Sequence, residues 1–402
     1  MLSISILILT LIAGIKYPGV LLSGLYFGYT VSAISEVPGV TSVYALCAVS
    51  VLAFKHVRER SRIALNKLDV AFLLFLIWHS ASVIWVEYPN AEVEFAVDFL
   101  LPAISVYASS RLLASLPLPE IRILEVIYGF CLIGAVISYL VVAQGDMIYG
   151  RLRINSASVV GLSQPLPYVI LSAIALLLGQ RKHTLYTLAL SAAAIILAGY
   201  LTFLTGTRGA LIAVAAGYMA LTYISAGCTM RRLKLRSTAL VMVALILFIS
   251  FDLGISEDGT LSRIFNFQSY GSSEDTSSQE RLELYLIAYE LFMDSPLIGS
   301  GLGAFSFQSY YPYPHNIWLE IAAASGVVGL VLFAIVIILV FRRIRYTGLL
   351  MLGWQGPTLV ALIIAGFIHH QVSFDLSQAK SLFTIGFIAG YGRMKVEKNG
   401  AY

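Results

Sequence analysis

Three observations predict an all-α, polytopic transmembrane helical bundle. The 402 residues are 58% hydrophobic and only 12% charged, about half the ~25% charge of a soluble globular chain. Apolar runs recur from end to end, with a mean hydropathy of +0.84. Lys and Arg are segregated to alternate connections between those runs. So little polar surface cannot cover a water-soluble body of this size, which excludes a cytosolic enzyme, a secreted disulfide scaffold and a disordered chain. The net charge of +4 says less than the placement of the charges.

A spanning helix needs about 20 mostly apolar residues. Runs of this kind lie near 2–15, 19–35, 39–54, 68–86, 93–109, 123–143, 161–180, 184–203, 209–227, 238–252, 316–341, 348–369 and 379–392. The first two are short and separated by Lys16-Tyr17-Pro18, so one reads as a half-span and about twelve crossings are expected. The first run has no basic leader and no A-x-A-like cleavage site, so it does not read as a cleavable signal.

Orientation follows from the basic residues in the connections. One set of connections holds 19 of the 26 Lys and Arg, among them Lys55, Arg58, Arg111, Arg122, Lys182, Arg232, Arg342 and Arg393. This side is expected to be cytoplasmic. The other side holds Arg151, Arg153, Arg208, Arg263, Arg281 and Lys380, and Lys16 is assigned to neither. Residues 1–402 thus read as a single transmembrane domain with one larger outward, periplasmic segment, 253–315. That segment carries eight acids and two arginines. Cys47, Cys131 and Cys228 match no metal or redox spacing, and no cofactor or metal site is expected.

The outward segment has internal order. Residues 268–278 are polar and read as a loop. Ser277 and Glu280 have capping-box spacing. Leu284, Ile287, Ala288 and Leu291 recur at helical spacing, which predicts an amphipathic helix over 278–293. Arg281 lies in its first turn, the unfavourable end for a cation. A salt bridge to Glu280 or Glu283 is its plain reading. Gly299-Ser300-Gly301-Leu302-Gly303 has neither the preceding strand nor the βαβ context of a nucleotide loop and reads as a tight turn.

Ser309-Tyr310-Tyr311-Pro312-Tyr313-Pro314-His315-Asn316 precedes a long apolar run. The prolines stiffen the approach to His315. The following helix terminus disfavours imidazolium, and neutral imidazole is the form a general base needs. A capping histidine is the alternative. The tyrosines suit either sugar stacking or an interfacial belt. Leu204-Thr205-Gly206-Thr207-Arg208-Gly209-Ala210 joins two runs on the same outward side. Backbone N–H groups at a helix start, with a guanidinium beside them, suit an anion such as phosphate. A snorkelling arginine is the alternative. Arg151 and Arg153 form a weaker basic spot. His79, Asp98, Glu125, Glu320, His369 and His370 are ionisable within runs, mostly near their ends. His369 and His370 are adjacent, which makes a shared metal site unsuited to a helix.

These segments resemble the O-antigen ligase and O-antigen polymerase superfamily. The resemblance rests on Thr205-Gly-Thr-Arg-Gly-Ala, Asp294-Ser-Pro-Leu-Ile-Gly-Ser-Gly-Leu-Gly-Ala-Phe, His315-Asn316, Gly326-Val-Val-Gly329-Leu and Ala81-Ser-Val-Ile-Trp85 with Tyr88-Pro89. It covers 68–345 and is densest over 200–330. It implies a GT-C-like, metal-independent, inverting glycosyltransferase of the bacterial inner membrane. The implied donor is a glycan on undecaprenyl pyrophosphate. The implied acceptor is lipid A-core for a ligase or a lipid-linked repeat unit for a polymerase, with membrane lipids as surroundings and no nucleic acid. Arg208, Arg281 and His315 then match the family's catalytic positions. Gly206, Gly209, Asn316, Tyr311, Tyr313 and Arg151 are expected to bind substrate. The outward segment is short for a ligase, and Arg151 to Gly161 falls one residue short of the Arg-x10-Gly spacing of some polymerases. The His315-Asn316 region fits ligases better. A flippase or other carrier is the rival class; it predicts paired charges or broken helices at the bilayer midplane.

Overall fold

The computed structural model describes residues 2–61, 63–86, 92–148, 151–155, 157–180, 182–225, 276–309, 311–371, 373 and 375–391. The expected run at 238–252, the polar loop 268–275, Tyr88-Pro89, Arg232, Arg263 and Arg393 lie outside them. So does the side-chain half of the Ser277 capping box.

The first ten helices are α1 (Leu2–Lys16), α2 (Gly19–Ser35), α3 (Val40–Arg58), α4 (Lys67–Ala81), α5 (Glu92–Ala114), α6 (Pro119–Gln144), α7 (Val159–Ser163), α8 (Leu166–Gly179), α9 (Leu185–Thr205) and α10 (Arg208–Ile224). Then follow α11 (Thr276–Asp294), α12 (Ala304–Gln308), α13 (Ile317–Thr347), α14 (Gln355–His369), α15 (Lys380–Phe383) and α16 (Ile385–Gly390). The all-α, multi-pass architecture expected from composition is therefore present. Among the described residues, seven helical stretches are long and apolar enough to cross a membrane, and five shorter apolar helices of 10–17 residues accompany them. One small exception is an antiparallel hairpin, β1 (Asp146–Ile148) with β2 (Arg151–Arg153), pairing Ile148 with Arg151.

Several expected runs are broken where the backbone chemistry demands it. The run 161–180 divides at Gln164-Pro165 into α7 and α8, because proline lacks the N–H that continuity requires. The run 379–392 divides into α15 and α16. α13 is longer than expected, and its path breaks at Gly326, with φ +63° and ψ −161°.

The basic residues gather at one end of the bundle. Arg111 Nε lies 2.8 Å from Asp69 Oδ1, and both side chains are buried. Asn66 caps α4 and donates to Ala389 O, while Arg343 donates to Ile388 O and Tyr391 O. Lys55 reaches the carbonyls of Ile15 and Lys16, which places Lys16 at this end. Arg122 pairs with Glu125 at 2.7 Å. Two charged residues depart from expectation. Arg111 is not in a connection: α5 runs on to Ala114, and the guanidinium is neutralised in the interior by Asp69. Lys380, counted with the outward connections, is buried at the start of α15 and donates to Tyr26 O at 3.3 Å.

Candidate functional site

The motif segments converge at the opposite, far end. Ser82 to Trp85 forms a 3-10 turn after α4. Ser82 Oγ accepts from Leu302 N, and the Trp85 indole donates to Gly299 O at 3.1 Å. Gly299, Gly301 and Gly303 have φ of +77°, +99° and +98°, a conformation that suits glycine. This is the tight turn expected there. It closes onto the break in α13. Ser300 N and Gly301 N donate to the carbonyls of Ala323 and Ala324, while Val327 N and Val328 N donate to those of Pro296 and Leu297. Backbone groups released by the break at Gly326 are thus satisfied by the 295–303 turn.

α11 lays Leu284, Ala288 and Leu291 on a small core with Val86, Ala304, Phe305 and Ala323. This is the stripe expected from its spacing. The packing turns Arg281 toward the segment that precedes α13. Asn316, expected at the substrate, also caps α13: its side-chain oxygen accepts from Trp318 N and Leu319 N at 3.0 and 3.1 Å. The cap role that was the alternative for His315 is therefore taken. His315 sits one residue outside the helix with φ +58°, in the left-handed region that a non-glycine residue seldom occupies. Its Nδ1 is buried and has no hydrogen-bond partner among the described residues. Tyr313 packs edge-on against its ring at 4.8 Å, and Tyr311 does so at 6.3 Å. Burial, and then the charge of Arg281, pull the imidazole from 6.5 down to about 4. The direction is as expected, but the causes are desolvation and Arg281 rather than the helix terminus.

The Tyr311 hydroxyl donates to Glu280 Oε2 at 3.4 Å, tying the tyrosine-proline strap to the residue beside Arg281. Burial, with the charges of Asp375 and Glu320, raises the Tyr313 phenol, so it stays protonated. Glu320 accepts Leu376 N with both carboxylate oxygens, at 3.0 and 2.9 Å.

Arg208 stands on another part of the far end. Gly206, at φ +60° and ψ +30°, ends α9, and α10 begins two residues later at Arg208. Thr207 occupies the N-cap position but its side chain makes no cap bond, unlike Asn66, Thr184 and Asn316 at their helices. It instead shares a 3.3 Å contact with the Thr205 hydroxyl. Gly209 is buried in the first turn of α10. β2, which carries Arg151, packs against α9. The described geometry thus joins Arg281 to His315 and the tyrosines. It places Arg208, Gly206, Gly209 and Arg151 on the α9–α10 side. Among the described residues no group of three or more His, Cys, Asp or Glu is arranged to hold a metal ion.

Fold and site together define a multi-pass membrane protein with its distinctive polar residues at one end. Residues 192–334 match the family model described as O-antigen ligase. That match supports the O-antigen ligase and polymerase superfamily, and with it glycan transfer as the general activity. No curated protein matches the chain. A chain in a solved structure titled "Structural coordination of polymerization and crosslinking by a peptidoglycan synthase complex" is similar at 15% identity. That likeness covers 82% of this chain and 98% of that one, with a TM-score of 0.47.

Proposed function

We propose that this protein moves a glycan from undecaprenyl pyrophosphate to a sugar hydroxyl at the periplasmic face of the bacterial inner membrane. Lipid A-core is the first acceptor reading and a lipid-linked repeat unit the second. The observation that carries the proposal is the pairing of Arg281 with a half-buried His315 whose Nδ1 has no hydrogen-bond partner among the described residues.

His315 takes the proton of the acceptor hydroxyl while that oxygen bonds to the anomeric carbon. The bond from that carbon to the pyrophosphate oxygen breaks, and the lipid pyrophosphate leaves as an anion. Attack from the opposite face inverts the centre. The leaving group needs no proton, but its charge must be held. Arg208, Arg281 and the N–H groups of the first turn of α10 supply that field. The polyprenyl tail stays in lipid between helices, so no soluble domain is needed.

A second reading, movement of lipid-linked glycans across the membrane, is favoured by one observation. His369, His370 and Lys380 are all almost completely buried, and ionisable groups within a membrane are costly unless used. Radiolabelled lipid-linked glycan separates the two. Transfer to acceptor by the purified protein in detergent is the expected result. Movement across sealed vesicles without transfer would replace the enzyme with a flippase. In a deletion strain, loss of all core-linked chains indicates a ligase, and chains of a single repeat indicate a polymerase.

A further inference from the structure

The far end also holds a cavity of about 390 Å³, within the ~300–1,000 Å³ of small-molecule sites. Its polar wall contains Asp98, Glu320, Asp375, Ser377 and Gln378, and Phe305 contributes to its apolar wall. No Lys, Arg or His is among the described residues that line it. Pro312 and Pro314 form one side, so the cavity lies directly behind the strap that delivers His315. Tyr313 bridges the two: it packs on the His315 ring and feels the charges of Asp375 and Glu320.

The polar wall is fixed rather than a chance gathering of acids. Glu320 holds Leu376 N with both oxygens. Asp375 accepts from Ser377 Oγ at 2.6 Å and Gln378 N at 3.1 Å. Gln164 Nε2 donates to Gln378 O. The turn 375–378 is thereby clamped between α13 and the α7–α8 junction, and Gln378 lines the cavity together with Asp98 of α5.

Charge decides what such a cavity can take. A pyrophosphate here would meet carboxyl oxygens and no cation among the described lining residues, so nothing would neutralise its charge. A neutral polyol meets the reverse. Its hydroxyls donate to carboxylate and amide oxygens, and its C–H faces lie against proline and phenylalanine. Arg281 and the cavity thus both border the strap that carries His315, one offering a cation and the other hydrogen-bonding oxygens.

We propose that this cavity is the acceptor subsite and takes an unphosphorylated sugar ring whose hydroxyls bond to Asp98, Ser377 and Gln378. The inference rests on the transfer reaction above and names the place of its second substrate.

The test uses the full chain in detergent, radiolabelled lipid-linked donor, and acceptor lipids from the envelope of the source cells. Donor binding is measured by filter retention and acceptor KM by initial rates. Asp98→Asn and Gln378→Ala are each expected to raise acceptor KM about five- to tenfold, with donor binding within twofold of wild type. A neutral methyl hexoside should compete with acceptor and not with donor, and a hexose 6-phosphate should compete poorly with either. Asp98 is exposed, so its substitution leaves the core intact, and thermal unfolding of both variants checks this. Acceptor KM within twofold of wild type in both variants, or a loss of donor binding, overturns the acceptor subsite while leaving glycan transfer standing. Donor binding without any transfer by wild-type protein overturns the transfer reaction and the subsite with it.

Discussion

Gly299 and Gly326 lie backbone against backbone. A Cβ on Gly326 would run into the amide of Gly299 and the carbonyl of Leu297, and one on Gly299 would run into the backbone of Ala324 and Ser325. Both residues also have positive φ. This contact fastens the 295–303 turn into the break in α13, and the strap bearing His315 is strung between those two points.

Gly326→Ala is therefore expected to destabilise the protein. Strain at such a backbone position alone costs about 1–3 kcal/mol, and the backbone collision adds to it. Thermal unfolding in detergent should show a clear fall in Tm. The control is Gly199→Ala in α9, where an added Cβ meets nothing within 4 Å; it should be neutral or slightly stabilising. Equal Tm for both variants would show that the two-glycine contact does not hold the turn.

Arg208→Ala should remain folded, because the side chain is at a helix start rather than in the core, yet lose about 10²- to 10³-fold in transfer rate. Arg208→Lys should recover only part of this, since an ammonium lacks the planar two-pronged fork. Wild-type turnover in Arg208→Ala would remove Arg208 from the site.

His315→Ala is expected to bind donor nearly normally and to transfer it about 10²- to 10⁴-fold more slowly. The pH dependence carries more detail. A base works when neutral, so activity should be lost as pH falls through its pKa, which in the free protein is about 4. Bound pyrophosphate offsets the Arg281 charge that helps to lower this value, so the pKa should rise in the complex. The acid limb of kcat/KM, which reports the free enzyme, should therefore lie near 4, and that of kcat should lie higher. Coincident limbs would separate His315 from the donor's charge. A transfer rate in His315→Ala within a few-fold of wild type would send the search for the base to Glu320.

Tyr311→Phe deletes one long hydrogen bond to Glu280, of the kind worth about 0.5–1.5 kcal/mol. It should lower transfer roughly two- to tenfold and lower Tm by at most about 2–4 °C. A loss as large as that of His315→Ala would mean that the Tyr311 hydroxyl takes part in the chemistry itself.

Much of the fold was legible in the sequence because lipid imposes a one-dimensional rule. A spanning segment must be apolar for its whole length and must close its own hydrogen bonds. The apolar runs follow from that rule, the segregated basic residues from the charge bias of the connections, and the stripe Leu284–Ala288–Leu291 from helical period against a small core. The turn at Gly206-Thr207-Arg208 and the tight turn at 299–303 were equally readable, because glycine marks backbone conformations that other residues avoid. Only tertiary structure decided what depends on residues far apart in the chain. Asp69 neutralises Arg111 across 42 positions, Lys380 is carried into the interior, and Asn316 takes the cap and leaves His315 outside it. The cavity draws Asp98, Glu320 and Asp375 from three separate elements, and no local pattern marks them as neighbours. Periodicity records how a segment meets its solvent. Which side chains share a cavity, and what that does to their charge, is set by the packing of one helix on another.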